Sequence, residues 1–330
     1  MAGVTPAAVF PVSGSPWSGS AASPVYSGTF IPTLWSAKML EKFYETTVLG
    51  QIANTNWEGE ISNKGDKVLI RTVPSVTIRG YDADQALTVE RPASATVELV
   101  IDQGLYWNVV LDDVWKVQSD IDQLNLWAED AAEQLKIAVD SDVLGILLAG
   151  TAAANKGATA GAISGSVDLG VTNTGPLTIV PRAPGTGEIE VIDLITRLGQ
   201  TLDEQNIPQT GRWLVIPAWV AAQIKRSELR DASLTGDGQS VLRNGRIGMI
   251  DRFELFISNL LPNGTAAGLQ AGEFMACAGH KHGLTFASQL TKVETLRAES
   301  TFGTLMRGLK VYGRKVVDGT ALATAVITPP

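Results

Sequence analysis

The chain has 330 residues and a net charge of −8, with 26 Lys and Arg against 34 Asp and Glu, which argues against a protein built to grip nucleic acid through a basic surface. Its 45% hydrophobic and 18% charged residues are the composition of a folded protein with a core, and its length suggests about two domains. The single cysteine, Cys277, excludes an internal disulfide, and the longest apolar run, 143–150, is far short of the roughly 20 residues needed to span a bilayer.

Residues 1–31 are mostly Ser, Gly, Pro and Ala, too poor in apolar area to offset the entropy of ordering, and read as an arm. No charged start or apolar stretch of a signal peptide precedes Lys38, so a cytoplasmic origin is the default expectation. The arm's isolated aromatics, Trp17, Tyr26 and Phe30 among them, suggest docking on another surface. Pro32 suits a helix start, and Leu34, Trp35, Met39, Leu40 and Phe43 follow at helical spacing to about residue 44.

Strand alternation then appears at 67–73 and again at 96–101. The intervening residues, with Pro74, Gly80, Asp82, Asp84 and Pro92, are too polar and too punctuated for a core element, so the pair reads as a long hairpin. Extended at about 3.3 Å per residue, one limb reaches roughly 40 Å, against a radius of gyration near 20 Å for a compact chain of this length. Its tip is therefore expected to leave its own body and meet a neighbour. Arg71, Arg79, Tyr81, Asp82, Asp84 and Arg91 join the arm's aromatics as expected inter-subunit contacts.

A helix is predicted over about 120–150, opened by Ser119 with Asp120 and Asp122 in its first turn and carrying an apolar stripe from Ile121 to Leu147. At 1.5 Å per residue it is about 45 Å long, enough to be the spine of the subunit. Residues 150–187, rich in Gly, Ala, Thr and Ser, read as strands and loops. An α/β module follows: helix over 188–204, buried strand over 213–216, helix over 217–230 and strand over 252–258. Strands are then predicted at 274–278, 284–288 and 311–317.

Chemistry-bearing motifs are sparse. The glycine pairs at 185–187 and 236–238 lack the third glycine and the strand-to-helix setting of a phosphate cradle. His280 and His282 share a strand face, but no acid, cysteine or further histidine stands at a spacing that completes a metal site. Cys277 reads as a small buried side chain rather than a nucleophile, and no Gly-x-Ser-x-Gly turn is present. The carboxylate pairs Asp82/Asp84 and Asp112/Asp113 read as solvated or capping groups, since acid–base work needs two differing environments. No catalytic, cofactor-binding or metal-ligating residue is assigned. The basic residues of the last quarter, Lys281, His282, Lys292, Arg297, Arg307, Lys310, Arg314 and Lys315, are expected to pair with acidic groups of neighbouring subunits rather than with phosphate.

The order of elements and the wording of several segments resemble the tailed-bacteriophage (Caudoviricetes) major capsid, or coat, proteins. The stretches that carry the likeness are IPTLWSAKMLEKFYETTVLGQIANTNWEG, GDKVLIRTVPSVTIRGYD, the pair RWLVIPAWVAAQIK and RNGRIGMIDRFELFISN, and AGHKHGLTFASQLTKVETLRAESTFGTLMRGLKVYGRKVV. The resemblance implies an α+β fold with an N-terminal arm and short helix (1–60), an extended β-hairpin loop (61–103) lying over the adjacent subunit, a peripheral domain with the spine helix (104–187 and 275–330) and an α/β axial domain (188–274). It implies a non-enzymatic subunit that assembles with itself into pentamers and hexamers of an icosahedral shell around double-stranded phage DNA, held by non-specific contact only. A separate scaffolding protein and a portal are the expected partners, with a decoration protein a further candidate and no membrane. The expected place is the virion, assembled in the bacterial host cytoplasm. An encapsulin-like nanocompartment shell, which shares the fold, and an α/β enzyme resting on the 188–274 module are the alternative readings.

Overall fold

The computed structural model describes residues 47–57, 67–114, 123–227, 248–299 and 301–330. The arm, the helix expected at 32–44 and the residues expected to open the spine helix, Ser119, Asp120 and Asp122, lie outside them.

A seven-stranded sheet forms the centre, in the order β5, β4, β12, β9, β6, β8, β7. These strands are β4 (Leu177–Val180), β5 (Glu188–Glu190), β6 (Arg212–Ile216), β7 (Met249–Ile250), β8 (Phe253–Ile257), β9 (Phe274–His280) and β12 (Leu322–Thr328). The interior strands β12, β9 and β6 are buried almost throughout, as strands covered on both faces must be. Leu214, Ile216, Ala276, Ala278, Ala323 and Ala325 face one core, closed by Leu194, Ile195, Leu198 and Leu202 of the helix Val191–Glu204 (α4) and by Val220, Ala221 and Ile224 of Ala218–Arg226 (α5). Trp213, Val215, Met275, Cys277 and Val326 face the second core, closed by Val139, Val143 and Leu144 of the helix Gln123–Gly145 (α2) and by Leu147 of the one-turn helix Leu147–Gly150 (α3). The alternating parity of each strand thus feeds two cores from one sheet.

Beside it stands a sheet of three long strands: β3 (Gln103–Asp112), β10 (Leu284–Arg297) and β11 (Gly303–Val316), all antiparallel with β11 in the middle. At 3.4 Å per residue a 14-residue strand such as β11 reaches about 45 Å. Helix α2 lies against β3 and β11. The segment entering this body carries the one-turn helix Leu49–Ile52 (α1) and bridges to β10, where Asn54 N–H donates to the Leu284 carbonyl at 2.8 Å and the Asn54 carbonyl accepts from Phe286 N–H at 3.0 Å. A two-stranded hairpin, β1 (Lys67–Arg71) with β2 (Thr96–Val100), is seated on Ala287 through Ile70 and Leu99.

Several expectations shift. Residues 188–190, expected in the helix, form β5 because they pair in parallel with β4, and the helix starts at Val191. The strands expected at 284–288 and 311–317 are ends of strands at least twice as long. In β10 a bulge between Ser288 and Leu290 reverses the alternation that a period-two reading follows. Neither β3 nor β12 was expected. Sheet pairing also crosses the expected domain limits, since β4 and β12, placed in the peripheral segments, are hydrogen-bonded into the sheet of the 188–274 module.

Candidate assembly surfaces

The ladder of β1 and β2 ends at Thr72, whose N–H donates to the Ala95 carbonyl at 2.9 Å. Beyond it, residues 73–94 continue as an excursion whose two limbs are tied mainly by side chains. Thr77 Oγ1 donates to Glu90 Oε1 at 3.3 Å, and Arg79 lies 3.9 Å from Glu90. At the tip, Gln85 N–H donates to the Asp82 carbonyl at 3.2 Å and Asp84 takes a left-handed backbone (φ 72°), as a turn residue with a short polar side chain can.

Of the residues expected to make inter-subunit contacts, Trp17, Tyr26 and Phe30 lie outside the described residues. Arg71, Arg79, Tyr81, Asp82, Asp84 and Arg91 are all exposed on the excursion or at its root. The structure brings Arg79 to Glu90, a residue not singled out from sequence. More informative are the apolar neighbours that the expected set left out: Val73, Val76, Ile78, Leu87 and Val89 are 62–94% exposed. Val76/Ile78 and Leu87/Val89 alternate with Thr77, Arg79, Thr88 and Glu90, a period-two signal legible in the sequence. An exposed apolar, strand-like segment with few backbone hydrogen bonds is a candidate surface for association.

A second such surface is the face of the three-stranded sheet turned away from α2. Cross-strand register places Val110, Leu305 and Leu296 in one row, Asn108, Arg307 and Glu294 in the next, and Tyr106, Leu309 and Lys292 in the third. Tyr106 is 80% exposed, and Val110, Leu296 and Leu309 are also open. The middle row is clamped, Arg307 Nε donating to Glu294 Oε1 at 2.6 Å while Lys292 approaches the other oxygen at 3.0 Å. Phe302, beyond the end of β10, is likewise 80% exposed.

Four of the eight basic residues singled out in the last quarter find acidic partners within the subunit itself. Lys292 and Arg307 pair with Glu294, Arg297 with Asp113 and Arg314 with Asp142, all within one chain. The antiparallel register that sets Glu294 opposite Arg307 is the physical reason, and no local sequence window reveals it.

Three of the side chains weighed for chemistry in the sequence have defined surroundings. Cys277 is wholly buried in the second core, and burial pushes its thiol pKa up. His280 Nδ1 accepts from His282 N–H at 3.2 Å, and burial, followed by the charges of His282 and Arg212, holds its pKa down. Asp112 caps the Val114 amide at 2.9 Å. Among the described residues no cluster of three His, Cys, Asp or Glu could hold a metal, and no helix is long and apolar enough to cross a membrane.

A family model described as "Phage capsid protein" matches residues 95–325. None of the curated proteins matches the sequence. Among solved structures, one from Mycobacterium phage Che8 superposes with a TM-score of 0.70 at 26% identity, covering 90% of this chain and 97% of that one. The mature capsid of bacteriophage PhiM1 gives 0.66 at 13% identity over 94% and 97%, and the capsid of a native GTA particle gives 0.63 at 16% over 92% and 97%. A family model spanning most of the chain, an α+β body that matches phage capsid subunits in fold, and two broad apolar surfaces left exposed among the described residues agree: the chain belongs to the phage capsid protein family, as a major capsid protein that forms the shell.

Proposed function

We propose that this subunit closes into pentamers and hexamers of an icosahedral shell around double-stranded DNA, and that the 73–94 excursion is its principal inter-subunit arm. The observation that carries this reading is the exposure of Val73, Val76, Ile78, Tyr81, Leu87 and Val89 on a segment whose limbs share no backbone ladder. Left in water, such a segment gains nothing from its apolar side chains; laid on a neighbour, it buries them and finds partners for its amides. Heterologous contacts of this kind, one surface meeting a different one on the next copy, close into rings. The seven-stranded body then serves as the axial part, and the long sheet with α2 as the peripheral part.

The net charge of −8 suits a container that holds DNA without gripping it. A separate scaffolding protein, a portal and assembly in the host cytoplasm belong to the same reading, and the outer face of the long sheet is where a decoration protein would find apolar anchors. Electron microscopy of the protein expressed alone tests the proposal. Closed or tubular shells tens of nanometres across are expected, and deletion of residues 74–95 should leave the far-UV circular dichroism spectrum unchanged while abolishing them. Normal shells from that deletion would remove the excursion from the assembly mechanism; a small globular oligomer from the intact chain would remove the shell.

A further inference from the structure

Outside the hairpin and its excursion, the long sheet with its end loops, and α2, few large apolar side chains of the described residues are exposed: Met249, Ile257 and Ile163. Met249 and Ile257 lie on β7 and β8, at the sheet edge that borders residues 228–247 in sequence. Ile163 is different. It is 80% exposed at the tip of a loop whose root is core, since Ala160 and Val167 are both buried against the seven-stranded sheet and exchange two backbone hydrogen bonds at 2.8 and 2.9 Å.

The tip is held rigidly. Gly161 N–H donates to the Ala154 carbonyl at 2.8 Å, Gly165 N–H to the Gly161 carbonyl at 3.1 Å, and the amides of Ile163 and Ser164 both donate to Glu204 Oε2, at 2.9 and 3.0 Å. Four of the five amides in 161–165 are therefore engaged. Gly161 and Gly165 take positive φ (102° and 56°), which lets the chain turn back so tightly. Glu204 is oriented in turn by Gln200, whose Nε2 donates to Oε1 at 2.8 Å.

Glu204 is the last residue of α4, where the helix dipole is negative, and the last turn carries no basic residue to offset it. A carboxylate is poorly placed there as far as the helix is concerned. What stabilises it is the loop: the amides of Ser164 and Ile163, with Gln200, hold its pKa down to about 2. The arrangement ties a helix end to a loop tip and fixes an isoleucine in water.

We propose that the 161–165 tip is a pre-formed inter-subunit knob that presents Ile163 to an apolar recess on a second copy of this chain. Holding the loop in one geometry before association removes most of the ordering entropy that a mobile loop would lose on docking, and an exposed Ile gains free energy only when another surface covers it. The occupant is a second copy because the family is shell-forming and the same surfaces recur around every ring. The inference rests on that assembly but uses no residue of the excursion.

The test uses the full chain with Ile163→Asp, Ile163→Val and Glu204→Ala, scored by thermal melting, light scattering against protein concentration and electron microscopy, with wild-type protein alongside. Because the side chain is exposed, Ile163→Asp should melt as the wild type does. It should raise the concentration needed for assembly by about tenfold or more, while Ile163→Val stays within about threefold. Glu204→Ala should speed hydrogen exchange of the 163 and 164 amides and weaken assembly in the same direction. Wild-type assembly behaviour in Ile163→Asp overturns the proposal, as does a lowered melting temperature, which would place the side chain's work inside the subunit. If wild-type protein itself gives no shells in the same assay, the assembly reading fails first and the knob with it.

Discussion

Asp142 of α2 and Arg314 of β11, 172 residues apart, form a bidentate ion pair, and Asp142 Oδ2 also accepts the Tyr312 hydroxyl at 2.8 Å. One carboxylate therefore fixes α2 to the central strand of the long sheet at two successive residues of the same strand face. Burial acts to raise the Asp142 pKa, but the hydrogen bonds from Arg314 and Tyr312 and the guanidinium charge bring it below the ordinary value. Burial, followed by the same contact, raises the Tyr312 pKa.

Replacing Arg314 by Ala is expected to destabilise the subunit by about 1–3 kcal/mol, because a half-buried carboxylate loses its bidentate cationic partner and keeps only the Tyr312 hydroxyl. The sign with pH follows from the lowered carboxylate pKa: the stabilisation is complete above the unfolded value of 3.8 and is lost as pH falls through the folded one. Denaturant melts of wild type and Arg314→Ala should therefore differ most at neutral pH and converge as pH falls below 3.8.

Asp140, two residues earlier on α2, is 1% exposed and shows the opposite sign. Its Oδ2 accepts from Val48 N–H at 2.9 Å, fastening the segment that leads to α1, while Oδ1 has no hydrogen-bond partner among the described residues. Burial raises its pKa against the pull of the Val48 and Leu49 amides. A raised folded pKa means that stability is complete below 3.8 and falls as pH rises through the folded value. Asp140→Asn keeps the acceptor and removes the charge, so its melting temperature should exceed the wild type's by a margin that widens from pH 4 to pH 8. Asp140→Ala should cost about 1–3 kcal/mol and expose the Val48 amide to hydrogen exchange.

Gly170 has φ 79°, and a methyl group there would overlap the Val326 carbonyl oxygen on β12. Val326 N–H donates to Leu169 at 2.9 Å, so the two backbones are locked together and neither can yield. Gly170→Ala is expected to destabilise by about 2–4 kcal/mol, from left-handed strain plus overlap with rigid backbone. Thermal melting measures this directly; a change under half a kcal/mol would show that the loop relaxes.

On the excursion, Ile78→Asp and Val89→Asp alter side chains that are 90% and 86% exposed. Their effect on subunit stability should stay within about 0.5 kcal/mol, while shell formation is lost. Assembly that proceeds unaltered in the double variant would show that these side chains face solvent in the shell.

Buried Cys277 should remain unreactive towards an aromatic disulfide reagent in the folded subunit and react only as fast as the chain unfolds, because burial disfavours the thiolate. Rapid labelling under native conditions would mean that the second core opens readily.

The parts of this fold that local pattern describes were legible in the chain. The helix of α4 shows its apolar stripe from Ile195 to Leu202, β6 its unbroken Trp213–Val215 run, and the excursion a composition no core could absorb. The strand β3 was equally available, through Leu105, Trp107, Val109 and Leu111 at period two, but β12 was not. Its Ala323, Thr324 and Ala325 are small because two cores press on the middle of a sheet, a demand set by β9 and β4 rather than by neighbours in sequence.

The candidate sites divide along the same line. Reach and exposure of the 73–94 limbs follow from strand geometry and polarity within some thirty residues, so the expectation that this segment meets another chain could be formed from the sequence alone. Which carboxylates hold the subunit together was settled only by folding: Asp140 finds Val48, Asp142 finds Arg314, and Glu204 finds the Ile163 loop 41 residues away. Periodicity records how a segment meets water and core, but hydrogen bonds between distant segments depend on register and helix rotation, and those exist only once the whole chain has packed.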